Sequence, residues 1–147
     1  MKKARVDAHV GLLIKFLNNS ITNEINRNLL KFNLTATQHE VLVYILNNEN
    51  KRDVFQKDVE KHLKLTNPTI TGIIKRLEEK GMIVRCASTG DARCKCLHVT
   101  EEGHNILHKC FHQGILSVEA KLVKNISEKD QILLKELLYK ALKNLEE

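Results

Sequence analysis

Apolar residues Val6, Val10, Leu13, Leu17, Ile21, Ile25 and Leu29 recur at steps of three or four, which is one stripe of a long amphipathic helix. A helix of that length needs something to pack against along its course. Leu34-Thr35-Ala36-Thr37-Gln38 then marks a fresh start. Thr35 is placed to cap a second helix and Gln38 to complete a capping box, ahead of the inward Val41, Leu42, Ile45 and Leu46. Residues Asn47 to Asn50 close it. A short helix over about 56–63 turns Val59 and Leu63 inward, and Lys64-Leu65-Thr66 forms the turn after it. Thr66 is expected to cap a fourth helix with Pro68 in its first turn, where the missing N–H costs nothing. This helix is predicted to run to Lys80 and stop at Gly81, burying Ile70, Ile73, Ile74 and Leu77. Its other face, Asn67, Thr69, Thr71, Gly72, Lys75 and Arg76, is small, polar and cationic, with no bulk to keep it out of a groove.

After Gly81 the pattern changes. Two β-prone runs, Met82 to Ala87 and Cys94 to Thr100, flank Ser88-Thr89-Gly90-Asp91, a hairpin signal with glycine at the turn. Thr100-Glu101-Glu102-Gly103 opens a fifth helix through about Leu122. Ser127 with Asp130 caps a last helix whose Ile132, Leu134, Leu137, Leu138, Leu142 and Leu145 form a wide apolar stripe. The expected fold class is therefore mainly α with a small β-hairpin wing: a winged helix-turn-helix with N- and C-terminal dimerisation helices. The chain reads as a single domain, 1–147, in which about 34–103 form the winged-helix lobe. Residues about 5–31 and 104–147 supply the dimerisation helices, because their apolar stripes exceed what a winged-helix core of roughly 70 residues can cover. A two-fold homodimer would set two recognition helices roughly 34 Å apart, one turn of double-stranded DNA.

Charge supports that partner. The chain carries 24 Lys and Arg against 18 Asp and Glu, net +6. The excess is uneven: residues 51–100 hold eleven basic and six acidic side chains, whereas 101–147 hold seven and eight. A basic lobe in a near-neutral chain suits a polyanion. No apolar run approaches the roughly 20 residues of a membrane span, and Met1-Lys2-Lys3 is not followed by a signal-like apolar stretch. The expected location is the cytoplasm, with Cys86, Cys94, Cys96 and Cys110 reduced. An enzyme is not expected. There is no glycine-rich phosphate loop, aromatic content is 4% with no Trp, and no cysteine sits at a predicted helix N-terminus that would activate it.

Together these motifs resemble the multiple antibiotic resistance regulator (MarR) family. Leu34-Thr35-x-x-Gln38 is similar to that family's second-helix opening. The stretch from Thr66 through Thr71, Leu77 and Gly81 to Arg85 is similar to its recognition helix and first wing strand. Asp91-Ala92-Arg93, with Val99-Thr100-Glu101-Glu102-Gly103, is similar to its wing and the helix that follows. The resemblance implies a dimeric transcriptional regulator, more often a repressor, modulated by a small anionic aromatic effector. It also implies a recognition helix in the major groove and Arg93 in the minor groove, braced by Asp91. The expected DNA-contacting residues are Asn67, Thr69, Thr71, Lys75, Arg76, Asp91, Arg93 and Lys95. The chain departs from many relatives at Ala92, where a second Arg is common, at Phe55, a Ser or Thr cap position, and at Glu60, a small-residue position.

Two further constellations bear on regulation. Cys94 and Cys96 lie two apart, and a turn near Gly90 would set Cys86 opposite Cys96, so three thiols are expected to share a patch on the wing. Against this stands the plain reading of free cysteines as small apolar residues. His104, His108 and His112 follow at four-residue steps, and His39 on the second helix is a candidate to join His108 and His112 around zinc. The plain reading is surface histidine, with no cofactor required. Three functions are compatible with the chain: an effector-controlled regulator, its metal- or thiol-responsive variant, and a winged helix used only for protein contacts.

Overall fold

The computed structural model describes residues 7–88 and 90–146. Val6, in the first predicted stripe, and Thr89, in the hairpin turn, lie outside them. Among these described residues seven α-helices and one hairpin follow in the order α1 (Val10–Leu30), α2 (Ala36–Asn48), α3 (Gln56–Leu63), α4 (Asn67–Glu79), β1 (Ile83–Ala87), β2 (Lys95–Val99), α5 (Glu101–Lys109), α6 (Leu116–Leu122) and α7 (Glu128–Glu146). A π-helical stretch, Cys110–Ile115, joins α5 to α6. The single helix expected through Leu122 is thus broken in its winding: its buried Cys110 and Gly114 pack toward α1, where the Asn28 amide donates to the Gly114 carbonyl at 3.0 Å.

The core lies where α2, α4 and the hairpin meet. Val41, Leu42 and Ile45 from α2, Ile70, Ile74 and Leu77 from α4, Val59 from α3 and Leu97 from β2 are essentially inaccessible. Local chemistry fixes where the helices begin and end. Thr35 Oγ1 accepts the Gln38 N–H at 3.2 Å, and Gln38 Oε1 accepts the Thr35 N–H at 3.3 Å, the reciprocal box expected from the sequence. Gln38 is itself buried and takes a further bond from Lys80 Nζ at 3.0 Å, so the end of α4 is tied to the start of α2. At α3 the Phe55 cap position offers no acceptor, and Asp58 supplies the available half of a box by accepting the Phe55 N–H at 2.9 Å. Thr66 precedes α4 in extended conformation but makes no side-chain cap bond; its hydroxyl meets that of Thr69 at 3.0 Å instead, which corrects the expected cap. Gly81, at φ +72°, ends α4 in the left-handed region where a side chain would be strained.

The hairpin pairs Ile83 with Val99, Arg85 with Leu97, and Cys86 with Cys96. The far edge of β2 is also engaged: the Leu97 N–H donates to Val54 O at 2.7 Å. Gly103, in the first turn of α5, sits so close beneath the hairpin that a Cβ there would lie 2.3 Å from Met82 O and 2.7 Å from Val99 Cγ1.

The two terminal helices are unlike the rest. Only the C-terminal part of α1 reaches the core, through Leu29 and the partly buried Ile25, while Val10, Leu12, Ile14, Phe16 and Leu17 are exposed. α7 has no buried residue at all, and Ile132, Leu133, Leu134, Leu137, Leu138, Leu142 and Leu145 are open to solvent within one chain. Among the described residues no helix is long and apolar enough to cross a membrane.

Candidate nucleic-acid interface

α4 turns Ile70, Ile74 and Leu77 into the core and leaves Asn67, Thr69, Thr71, Gly72, Lys75 and Arg76 exposed along one side, as its period dictates. The helix is held by its neighbours at both ends. Gln56 Nε2, at the start of α3, donates to Thr71 Oγ1 at 2.7 Å, and Lys80 anchors the other end through Gln38. A Cβ on Gly72 would meet nothing within 4 Å, so this surface is smooth at its centre. Such a face suits the major groove, which admits an α-helix and offers donors and acceptors on base edges.

The wing projects Arg93, whose side chain is 93% exposed. Asp91 Oδ1 accepts the Arg93 backbone N–H at 2.9 Å and lies 3.5 Å from its Nε, so the carboxylate orients the guanidinium without burying it. Lys95 opens β2 and is exposed. The wing is fixed relative to α4 by Arg85 Nε donating to Glu78 Oε1 at 2.8 Å, by the Met82 N–H to Leu77 O at 2.9 Å, and by Thr100 Oγ1 to Gly81 O at 2.6 Å. Arg85 is therefore committed to a carboxylate, whereas Lys75, Arg76, Arg93 and Lys95 present their charge outward. The eight expected DNA-contacting residues divide between two surfaces, five on α4 and three on the wing.

The regulatory constellations fare differently. His108 and His112 do come together, with ring centroids 4.3 Å apart, and Phe111 meets His112 edge-on at 5.4 Å. His39 does not join them: among the described residues no three His, Cys, Asp or Glu side chains are gathered to hold a metal ion. The expected set of His39, His108 and His112 is not assembled within one chain. Burial pushes the His39 imidazole pKa below its ordinary value, and neighbouring Glu40 opposes that shift in part. His104 turns instead toward Glu49, whose Oε1 lies 3.6 Å from His104 Nε2 and whose Oε2 lies 3.7 Å from His98 Nδ1. Glu49 Oε2 also accepts the Val99 N–H at 2.9 Å. This junction of α2, β2 and α5 went unread in the sequence, because nothing in local spacing links positions fifty residues apart.

The three-thiol patch also needs correction. Cys86 and Cys96 are cross-strand partners as expected, but Cys94 falls before β2 begins and its thiol points to Asp91 Oδ2 at 3.8 Å. Cys96 is 2% exposed and Cys110 is wholly buried; desolvation pushes both thiols up, with Asp53 and Cys86 adding to the effect at Cys96.

A helix-turn-helix whose second helix presents a polar cationic face, followed by a hairpin wing tipped with arginine, defines the winged helix-turn-helix class. The MarR family model matches residues 32–93, the span from the end of α1 to the wing tip. An uncharacterized HTH-type transcriptional regulator of Bacillus cereus is 29% identical over 135 residues, covering 91% of this chain and 86% of the relative. The multiple antibiotic resistance protein MarR of Salmonella typhimurium is 27% identical over 133 residues, covering 90% of each. A variant of S. aureus MepR has the same fold, with TM-score 0.87, 25% identity, and coverage of 94% of this chain and 99% of that one. Over its winged-helix lobe and across most of its length the chain is therefore similar to MarR-family transcriptional regulators.

Proposed function

We propose that the protein is a DNA-binding transcriptional regulator, a repressor, that grips a pseudo-palindromic operator as a homodimer. The observation that carries this reading is the α4 face: small polar residues and two cations, exposed together on a helix anchored at both ends, beside a wing that offers Arg93. Arg76, Thr69, Thr71 and Asn67 suit base edges or sugar-phosphate, Lys75 a phosphate, and Arg93 the negative potential of a narrow minor groove. The bare apolar faces of α1 and α7 are the proposed seam with a second copy, since that much aliphatic surface on two long helices is costly to leave in water.

Control follows from the same geometry. A small anionic aromatic effector bound between the dimer helices and the DNA-binding lobes would favour one spacing of the recognition helices over another, provided its affinity for the two differs. The groove lined by Leu17, Ser20, Ile21, Glu24, Val118, Lys121 and Leu122 offers apolar walls and a cation, although Lys121 already meets the Glu24 carboxylate at 3.1 Å. The mechanism calls on no cofactor and no catalytic step, and it places the protein in the cytoplasm with the DNA.

Replacing Lys75 and Arg76 with alanine tests the reading. Binding should weaken, and the slope of log affinity against log salt should shrink by about one for each phosphate that the variant no longer neutralises. An unchanged slope would take α4 out of the interface.

A further inference from the structure

We propose that Cys86 and Cys96 are a redox pair that closes a cross-strand disulfide within the wing on exposure to a hydroperoxide. Leu97 turns its N–H away from β1 to Val54, so its neighbour Cys96 turns its backbone groups toward β1 and faces Cys86 as a hydrogen-bonded pair. Residues so paired stand about 5.5 Å apart between Cα atoms, inside the roughly 4.4 to 6.8 Å that a disulfide spans. The two thiols differ in setting: Cys86 is exposed and can meet an oxidant, while Cys96 is buried behind it. His98 Nε2 lies 3.4 Å from Cys96 Sγ, and Glu49 stands beside the other ring nitrogen, Nδ1. A carboxylate on that side favours the tautomer of neutral His98 that carries its proton on Nδ1, which leaves Nε2 as an acceptor. Cys96 thus has a base within reach, as an attacking thiol requires. The burial that pushes its pKa up makes it the second thiol to react, not the first.

The chemistry balances with the peroxide as oxidant. The Cys86 thiolate attacks the peroxide, the O–O bond breaks, and the alcohol (or water) leaves with one proton while Cys86 becomes a sulfenic acid. Cys96 then passes its proton to His98 and attacks the Cys86 sulfur; the S–O bond breaks and water departs. Two thiols lose two electrons and two protons, and the peroxide is reduced by the same number. A dithiol reverses the step by exchange. Cross-strand Cβ atoms normally lie about 4.5 to 5.5 Å apart, whereas a disulfide holds them near 3.8 Å. Closing the bond therefore draws the strands together and twists the hairpin that carries Arg93. The effect on DNA rests on the binding reading above; the disulfide does not.

The test treats the reduced full-length protein with cumene hydroperoxide, blocks remaining thiols with N-ethylmaleimide, and maps peptides by mass. Expected are the loss of two hydrogens per chain, a Cys86–Cys96 linked peptide, and recovery with dithiothreitol. The link should persist in Cys94→Ser and vanish in Cys86→Ser. In His98→Gln the sulfenic acid on Cys86 should accumulate and be trapped by dimedone. DNA affinity of the oxidised wild type should fall roughly fivefold or more, the scale of one arginine contact, while that of Cys86→Ser should not respond to peroxide. No link, a link through Cys94, or a link between two chains would each overturn the proposal, whatever the DNA measurement shows.

Discussion

Asp91 holds Arg93 twice, accepting its backbone N–H at 2.9 Å and standing 3.5 Å from its guanidinium Nε. So exposed a pair adds little to stability. Its effect is on direction, because a carboxylate that has already taken the amide restricts where the long side chain can swing. Arg93→Ala should weaken operator binding by roughly 1 to 3 kcal/mol while the dimer, followed by light scattering, stays intact. Full affinity in that variant would remove the wing from the mechanism.

The second prediction concerns α7. Its apolar residues contribute nothing to the core of one chain, so cutting the protein after Ser127 should leave the lobe folded by circular dichroism. The truncated chain should sediment as a monomer and bind the operator only weakly, since two weak half-sites no longer act together. A truncated chain that still sediments as a dimer would place the seam elsewhere.

Gly103 and Gly72 make a paired test of packing. A methyl on Gly103 meets the Met82 carbonyl and a Val99 methyl, so Gly103→Ala should destabilise the fold by roughly 1 to 3 kcal/mol in urea titrations. Gly72 lies inside α4 with open space around it, and Gly72→Ala should stabilise by roughly 0.5 to 1 kcal/mol. Equal effects at the two sites would contradict the close approach of α5 to the hairpin.

His39 gives a dependence on pH. Its folded pKa lies below the ordinary imidazole value because burial disfavours the cation, so below that ordinary value the unfolded chain binds more protons than the native one. The His39 contribution to stability is complete above the unfolded pKa and is lost as pH falls through it toward the lower folded value. Thermal scans between about pH 7.5 and 5.5 should show Tm falling with acid, and His39→Gln should flatten that fall. An identical slope in the variant would mean His39 is protonated as readily folded as unfolded.

The sequence was most legible where short-range chemistry decides the outcome. The Thr35 and Gln38 box, the stop at Gly81, the polar face of α4 and the Cys86–Cys96 register all follow from spacings of a few residues, and all are found. It was less legible where a side chain has a choice of nearby partners, or where partners are far apart in the chain. The Thr66 hydroxyl goes to Thr69 and not to a backbone amide, Cys94 slips off the strand toward Asp91, and the π-helical turn after Lys109 follows from packing against α1. Glu49, which joins Val99, His98 and His104, carries no local signature, and neither does Lys80 reaching across to Gln38. The histidine triad failed for a related reason: helical periodicity sets His108 beside His112 but says nothing about where α2 holds His39.

Operator recognition by a dimer is best tested by selecting binding sites from a pool of random duplex DNA with the reduced protein, then titrating the winner by anisotropy across a salt series. Expected is enrichment of a pseudo-palindrome with half-sites about one helical turn apart. Its binding should depend steeply on salt and be at least about a thousandfold tighter than that of unrelated DNA. No enrichment, with every sequence bound alike or not at all, would contradict operator recognition and leave the winged helix as a surface for protein contacts.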